Sequence, residues 1–253
     1  MDDKSQAIFY ECRKSIRFYP ENININSVTE WSIVLDLDET LVHTMDNYKD
    51  FLDLNVSRNT DLMDVRHRIY SFSMQDVFTD AGYGDETKIW GIFRPHVKEF
   101  IEFANKYFRS VNVWSAGQPS YVEKIVDKLF KGHRHPAIIY AFNQCKSNDG
   151  DTLKPLHEMI NSFNYNYSNK TNHTMSLEKI FSVDDRRSTF NSNVKNGILI
   201  PAYAPEEIAE ENATLEDIIR MEDDSLLKLI EWFDNLNHKE VKDVRHLSKM
   251  EIF

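Results

Sequence analysis

The hydrophobic positions of the chain form short segments that alternate between strand and helix spacing. An apolar run at 31–35 stops abruptly at Asp36, which is typical of a strand buried on both faces. After Arg94-Pro95, apolar residues recur every three or four positions, which predicts an amphipathic helix with the proline in its first turn. This alternation predicts βαβ units and a mostly parallel central sheet.

The same spacing assigns the other elements of the sheet and its flanking helices. Strands are predicted at 111–114, 137–142, 180–183 and 197–200, and helices at 120–130 and 154–163. A last apolar stripe, with Asp224 and Ser225 as candidate caps, predicts a C-terminal helix that ends near 236. The predicted fold class is therefore α/β.

The segment at 45–90 has a different pattern. Tyr70, Phe72 and Met74 alternate with serines, and Gly82 and Gly84 supply turn signals, so an inserted antiparallel hairpin is predicted there. Residues 1–30 carry mixed signals, including three spaced apolar positions at 23, 25 and 28, and are interpreted as an N-terminal extension. Because no linker interrupts the remainder, residues 31–253 are predicted to form one domain with this insertion.

Composition narrows the class of protein. The 253 residues include 41 Asp+Glu against 30 Lys+Arg, a net charge of −11, which argues against a strongly basic nucleic-acid binder. A hydrophobic content of 41% with 12% aromatics excludes global disorder. Two cysteines, Cys12 and Cys145, make neither a disulfide framework nor a zinc site.

No segment predicts a membrane span or a secretory signal. The longest apolar run, at 137–142, is far shorter than the ~20 residues needed to cross a bilayer. Residues 1–10 are acidic and mixed, unlike a signal peptide. We therefore expect a soluble protein of the cytoplasm or nucleus that binds neither membranes nor nucleic acids directly.

Polar residues that directly follow the predicted strands are candidates for chemistry, since ligands of open α/β sheets bind there. In an extended chain Asp36 and Asp38 share a face, and two close carboxylates favour a hard cation. At Ser115, a hydroxyl and free backbone N–H groups ahead of a helix suit phosphate oxygens. Further candidates at strand ends or ahead of helices are Lys154, Asp184 and Asp185.

Taken in order, these motifs and Thr40 resemble the four motifs of haloacid-dehalogenase-type phosphotransferases. The stretches 35–43, 94–100 and 226–230 more narrowly resemble the catalytic domain of the RNA polymerase II C-terminal-domain phosphatases, also called NLI-interacting-factor-like phosphatases. Three short stretches around 115, 155 and 185 are most similar to the branch containing the ubiquitin-like-domain proteasomal phosphatase. The resemblance implies a Rossmann-like parallel sheet flanked by helices.

The resemblance also implies an activity, that of a Mg²⁺-dependent protein serine/threonine phosphatase with an aspartyl-phosphate intermediate. Asp36 would be the nucleophile, and Asp38 would act as general acid and then general base. Mg²⁺ would be held by the Asp36 carboxylate, the Asp38 main-chain carbonyl and Asp185. The expected partner is a phosphoprotein, with the RNA polymerase II C-terminal domain as one candidate.

A phosphate-binding set follows from the same resemblance. Lys154, held in place by Asp184, would neutralise the phosphoryl oxygens. Further phosphate contacts or loop bracing are expected from Thr40, Ser115 and Ala116. One departure concerns specificity: small C-terminal-domain phosphatases carry an arginine where this chain has Asn143-Gln144, so their phosphoserine-proline preference is not carried over.

Two other functions stay open. A small-molecule phosphatase would use the same chemistry but would need a cap over the site, and no long helical insertion is visible after Met45. A non-catalytic binding module would be expected to lack the catalytic carboxylates, which this chain retains. A phosphoprotein phosphatase is therefore the leading interpretation.

Most of the net charge lies in one segment, residues 203–224. It holds nine acidic residues against one base, Arg220, a local charge of −8. Such a run is usually a solvated helix face, which is the favoured interpretation. The alternative is a docking surface for a basic partner.

Overall fold

Strands and helices alternate along most of the chain. The computed structural model of the protein describes residues 17–45, 47–75 and 86–253. Its strands are β1 (Arg17–Phe18), β2 (Ser32–Leu35), β3 (Val42–Met45), β4 (Ile69–Gln75), β5 (Glu86–Phe93), β6 (Ser110–Trp114), β7 (Ile138–Tyr140), β8 (Lys146–Asn148), β9 (Asp151–Leu153), β10 (Ile180–Asp184) and β11 (Gly197–Leu199). Its α-helices are α1 (Tyr48–Leu54), α2 (Val97–Tyr107), α3 (Pro119–Leu129), α4 (Leu156–Thr171), α5 (Pro205–Ile208), α6 (Leu215–Arg220) and α7 (Ser225–Asp234).

The central sheet has the strand order β1-β7-β6-β2-β10-β11. All neighbouring strands are parallel except β1, which pairs antiparallel with β7. Strand β2 lies in the interior of the sheet and is buried along its whole length. The prediction of an α/β fold with a mostly parallel sheet is confirmed.

Helices cover both faces of this sheet, because successive side chains of β2 point to opposite sides. Ile33 and Leu35 belong to the larger core with α2, α3 and α7, whereas Val34 belongs to a second core with α4. None of the three side chains is more than 1% exposed, and burying each contributes about 1.5–3 kcal/mol. Burial on both faces explains why the run at 31–35 is almost continuously apolar.

Prolines precede two helices that begin later than predicted. Helix α2 starts after His96, whose left-handed conformation (φ 62°) makes the turn, so Pro95 lies before the helix. Helix α4 starts after Pro155, because the residue before a proline is disfavoured in the helical conformation. Lys154 is therefore outside the helix that was predicted at 154–163.

The structure also differs from the prediction at one strand end, one helix end and one N-cap. The strand predicted at 137–142 is shorter, because a 3₁₀ turn at Phe142–Gln144 follows β7. The C-terminal helix ends at 234 instead of 236. Asp224 occupies its N-cap position without a capping hydrogen bond, and the Asp223 carboxylate instead accepts a hydrogen bond from the N–H of Ser225 (3.0 Å).

The insertion at 45–90 completes a small antiparallel sheet with the order β3-β5-β4. The pair β4–β5 is the predicted hairpin, and β3 adds a third strand; Gly82 and Gly84 lie outside the described residues. The sequence patterns missed α1, which packs against Trp90 of β5. Trp90 is 1% exposed and Trp114 fully buried, as expected for core residues.

Residues 17–30 lie against the central sheet. Ile23 is buried in the core beside α4, whereas Ile25 and Val28 are 71% and 54% exposed, so one of these three apolar positions packs inward. Cys12 precedes the first described residue. In the described ranges no helix is both long and apolar enough to cross a bilayer.

Candidate active site

The predicted site residues converge at the carboxyl edge of the central sheet. Asp36 follows β2, Ser115 follows β6, and Asp184 is the last residue of β10. The parallel register pairs Leu35 with both Val113 and Val183, which brings the three strand ends to the same level. This edge is where open α/β sheets bind ligands.

A buried ion cluster forms the floor of the site. The Lys154 ammonium donates hydrogen bonds to Oδ1 of Asp36 and to Oδ2 of Asp184, the latter at 2.6 Å. Lys154, Asp36 and Asp184 are 4%, 7% and 1% exposed. Removing Lys154 would leave two buried carboxylates without their cation, so this lysine holds the two aspartates in place.

The cluster contains more carboxylates than cations. Burial, together with the carboxylates of Asp184 and Asp38, holds the pKa of Asp36 well above its ordinary value in spite of Lys154. Burial disfavours the charged lysine, but Asp36 and Asp184 outweigh it and raise the pKa of Lys154. Burial is the largest cause at Asp36, and the two further carboxylates act in the same direction; this excess of carboxylates over cations favours a bound cation.

Asp38 is oriented by two hydroxyl groups. Its carboxylate accepts hydrogen bonds from the Tyr121 hydroxyl and from Oγ of Ser115 (3.5 Å). The Tyr121 hydroxyl also contacts Oγ1 of Thr44 (2.7 Å), which contacts the hydroxyl of Tyr70 (2.9 Å). Burial raises the pKa of Asp38. A hydrogen-bonded chain therefore joins this carboxylate to the inserted sheet.

Sequence reasoning missed Tyr121. In the sequence Tyr121 is an aromatic residue in the first turn of a predicted amphipathic helix, and aromatic residues at such positions usually belong to the core. Its partner Thr44 lies 77 residues away in sequence. The contact depends on how α3 packs beside the inserted sheet, which no local pattern specifies.

The turn after β2 places Thr40 beneath the site. Glu39 adopts a left-handed conformation (φ 58°), and the carbonyl of Leu37 accepts hydrogen bonds from the N–H groups of Leu41 and Val42. Thr40 is fully buried, and its hydroxyl donates to Oδ1 of Asp185 (3.4 Å). The side chain thus touches a carboxylate of the site.

Arg94 holds this turn from the other side and was not among the predicted site residues. Its fully buried guanidinium donates to the carbonyls of Thr40 (3.1 Å) and Pro201 (2.9 Å). It also forms a bidentate pair with the carboxylate of Asp223, at 2.7 and 2.9 Å. Arg94 therefore ties the loop that carries Asp36 and Asp38 to two distant segments.

A cleft of about 250 Å³ opens above the cluster. Its lining includes five predicted residues: Asp36, Asp38, Ala116, Lys154 and Asp185. The other three predicted residues contact this lining from behind: Ser115 contacts Asp38, Asp184 contacts Lys154, and Thr40 contacts Asp185. All eight predicted side chains are thus in or directly against one cavity.

The backbone at Ser115 differs from the prediction. The N–H of Gly117, expected to be free for phosphate, donates to Oγ of Ser115 (2.9 Å). Ser115 itself is fully buried. Ala116 is the residue of this turn that lines the cleft.

Three carboxylates could hold a metal ion. Oxygen atoms of Asp36, Asp184 and Asp185 lie within 4.8 Å of one another. Burial and the neighbouring Asp184 raise the pKa of Asp185 to about 6, as expected for carboxylates that repel one another. Asp184 already accepts hydrogen bonds from Lys154 and from the N–H of Arg186 (3.0 Å), which leaves Asp36 and Asp185 as the less committed ligands. All-oxygen donors of this kind fit a hard divalent cation such as Mg²⁺.

Comparison with known proteins agrees with this geometry. A CTD small phosphatase-like protein 2 of Dictyostelium discoideum is 22% identical over 214 residues, which are 85% of this chain and 28% of that protein. The chain thus spans about a quarter of the length of this curated relative.

Solved structures of the phosphatase Fcp1 share the fold. The RNA polymerase II CTD phosphatase Fcp1 superposes with a TM-score of 0.58 at 11% identity, covering 95% of this chain and 72% of that one. The fission yeast Fcp1 bound to beryllium fluoride superposes with a TM-score of 0.51 at 13% identity, covering 91% and 53%. At these identities the likeness concerns the fold alone.

A family model settles the assignment. The model described as "NLI interacting factor-like phosphatase" matches residues 31–245, most of the chain. That range includes the whole ion cluster and the cleft above it. The protein therefore belongs to the NLI interacting factor-like phosphatases and has their haloacid-dehalogenase-like α/β fold.

Proposed function

We propose that the protein is a Mg²⁺-dependent phosphatase that hydrolyses phosphoserine and phosphothreonine in proteins through an aspartyl-phosphate on Asp36. The observation that carries this proposal is the buried cluster of Lys154, Asp36 and Asp184 below a cleft that Asp38 also lines. A nucleophile, an acid and a cation are thereby within reach of one substrate phosphate.

The reaction takes two steps. In the first, a carboxylate oxygen of Asp36 attacks phosphorus, the ester P–O bond breaks, and Asp38 gives its proton to the leaving serine or threonine oxygen. In the second, a water oxygen attacks the aspartyl-phosphate, Asp38 takes a proton from that water, and the bond from Asp36 to phosphorus breaks. Tyr121 and Ser115 keep Asp38 aligned for both transfers.

The metal would be held by the Asp36 carboxylate, the main-chain carbonyl of Asp38 and Asp185. When bound, Mg²⁺ would offset the repulsion between the phosphate and the carboxylates. Asp184 would remain the partner of Lys154, since both its oxygens already accept hydrogen bonds. The excess of carboxylates in the cluster supports this arrangement.

Lys154 and Ala116, which line the cleft, would contact the phosphoryl oxygens, whereas Ser115, fully buried behind the lining, would brace Asp38. The hydrogen bond from Thr40 to Asp185 supports a bracing role for Thr40. The described part of the insertion supports a protein substrate, because it is a small sheet with the seven-residue helix α1 and contains no helical cap. We further propose that residues 31–253 form one domain and that the RNA polymerase II C-terminal domain is one substrate to test.

The test is a turnover assay with purified protein and Mg²⁺. An aryl phosphate, phosphoserine and phosphothreonine peptides, and C-terminal-domain repeat peptides should release phosphate. The Asp36→Asn variant should lose about 10⁴-fold in kcat, because an amide oxygen is a poor nucleophile. Equal rates in the two proteins would reject Asp36 as nucleophile, and turnover of metabolites above peptides would favour a small-molecule phosphatase.

A further inference from the structure

Arg186 lies at the rim of the cleft directly after Asp184 and Asp185. It is exposed and lines the cavity together with Asp36 and Asp38. Throughout the described part of the chain, no carboxylate forms a salt bridge with its guanidinium, which also has no hydrogen-bond partner there. The charge is thus available to a ligand.

The backbone of Arg186 is fixed even though its side chain is free. Its N–H donates to Oδ1 of Asp184 (3.0 Å). Its carbonyl accepts hydrogen bonds from the N–H (3.2 Å) and the hydroxyl (2.7 Å) of Thr189. The guanidinium is therefore presented from a defined position beside the catalytic carboxylates.

The charge balance of the cleft makes this arginine distinctive. Lys154, the other cation of the lining, is paired with both Asp36 and Asp184, whose carboxylates offset its charge. The remaining charged residues of the lining are acidic: Asp38, Glu39 and Asp185. Among the described residues around the cleft, Arg186 is the cation that no carboxylate neutralises.

The exposure of Arg186 indicates which part of a substrate it could bind. Asp36, which would meet the scissile phosphate, is 7% exposed, whereas Arg186 stands at the open rim. A group that contacts Arg186 is therefore expected to lie beside the scissile phosphate on the substrate. A guanidinium binds carboxylates and phosphates with two parallel hydrogen bonds, so that group should be anionic.

We propose that Arg186 selects phosphoprotein substrates that carry a second anionic group, an acidic side chain or a second phosphate, next to the phosphoserine or phosphothreonine. The inference rests on the proposed function and adds a substrate class to it. The neutral pair Asn143-Gln144 contributes no charge to the cleft that could bind this second anionic group instead.

The test compares matched peptides that differ only in aspartate or alanine beside the phosphoserine. Wild type should have a kcat/KM about tenfold higher for the acidic peptide, and Arg186→Gln should remove that ratio, as expected for one charge-assisted contact. Arg187→Gln, which removes the neighbouring exposed arginine outside the cleft lining, should keep the ratio. Arg186→Glu should reverse it in favour of a lysine-flanked peptide.

If Arg186→Gln only disturbed the structure, kcat/KM would fall equally for the acidic and the neutral peptide, and their ratio would stay at the wild-type value. That outcome would overturn the proposal. Binding measured by fluorescence anisotropy in the Asp36→Asn background tests it independently of turnover. There, Arg186→Gln should weaken binding of the acidic peptide about tenfold relative to the neutral one. If wild type failed to hydrolyse either peptide while this binding pattern was observed, only the proposed function would be rejected. Equal affinities for the two peptides before and after Arg186→Gln would reject the role of Arg186.

Discussion

Two groups of acidic residues in this protein have the same chemistry and opposite surroundings. The aspartates at the strand ends, Asp36 and Asp184, are buried and share one lysine. The nine acidic residues at 203–224 lie on α5, α6 and the adjoining turns, and most are exposed. The first group is held by its partners, whereas water stabilises much of the second, so the consequences of substitution should differ sharply.

The segment at 203–224 is also less uniform than its composition suggests. It was interpreted as a solvated helix face, but it forms two short helices, and several of its acids have defined partners. Asp217 closes a capping box with Thr214 (2.9 Å). Asp223 pairs with the buried guanidinium of Arg94. The surroundings of Asp223 therefore resemble those of the strand-end aspartates. Docking of a basic partner here stays a prediction.

The largest effect is expected from Lys154→Met. The change leaves Asp36 and Asp184 buried without their cation, which should cost about 3–5 kcal/mol of unfolding free energy and abolish turnover. Urea unfolding and a phosphate-release assay would measure both. Lys179→Met is the matched control, since Lys179 pairs with Glu30 at 2.6 Å on the exposed surface, where a pair contributes about 0–1 kcal/mol. Equal losses in the two variants would contradict the contrast between buried and exposed pairs.

Asp223→Ala should be the next most damaging. It leaves the buried charge of Arg94 without its carboxylate, at a cost of about 3 kcal/mol. Because Arg94 also holds the Thr40 carbonyl, kcat should fall as well. Glu222→Gln, one residue earlier and exposed, should change stability by about 0.5 kcal/mol or less. If Asp223→Ala lowered the unfolding free energy only slightly, Asp223 would have to be grouped with the solvated acids.

His173 is buried, and among the described residues no carboxylate forms a salt bridge with it, so its charge should oppose folding. Burial, with help from Arg109, lowers the pKa of His173 to about 4, below the ordinary value of 6.5. A lowered folded-state pKa means that stability is fully present above pH 6.5 and is lost as the pH falls towards 4. The expected loss is about 3 kcal/mol.

Denaturant unfolding between pH 7 and pH 4 would measure this loss for wild type and His173→Gln. The variant should lack that part of the acid dependence. His67→Gln, which alters an exposed histidine, should retain it. An unchanged pH profile in His173→Gln would assign the acid dependence to other groups.

Local pattern predicted the ends of β2, β6 and β10 to within one residue, because strand and helix periods are encoded within a few residues. That is why Asp36, Ser115 and Asp184 could be expected at one edge of one sheet. The pair of Arg94 and Asp223 could not be predicted, since its members lie 129 residues apart and meet only through packing. The start of α4 was misplaced for a different reason: the apolar period continues through Pro155, but backbone sterics delay the helix.

Tyr121→Phe should have a smaller, substrate-dependent effect. Removing the hydroxyl frees the Asp38 carboxylate to rotate, so turnover of a phosphoserine peptide should fall about 10- to 100-fold. The kcat/KM of dinitrophenyl phosphate, which reports only formation of the aspartyl-phosphate and whose leaving group needs no proton, should be affected much less. Tyr70→Phe removes a hydroxyl farther along the same chain and should change the ratio of the two rates less. Equal losses on both substrates would show that Tyr121 acts on overall structure and not on Asp38.

The smallest effect is expected where the acids have only water around them. Glu207, Glu210 and Glu211 are exposed, and a variant with all three changed to Gln should alter the unfolding free energy by about 0.5 kcal/mol or less. Neighbouring like charges repel weakly at high dielectric, so a slight gain at low salt should disappear near 0.5 M NaCl, roughly the range in which screening is strong. A loss that persists at high salt would mean that these glutamates make specific contacts. The exposed part of 203–224 would then behave like Asp223, and the contrast between the two acidic groups would no longer hold.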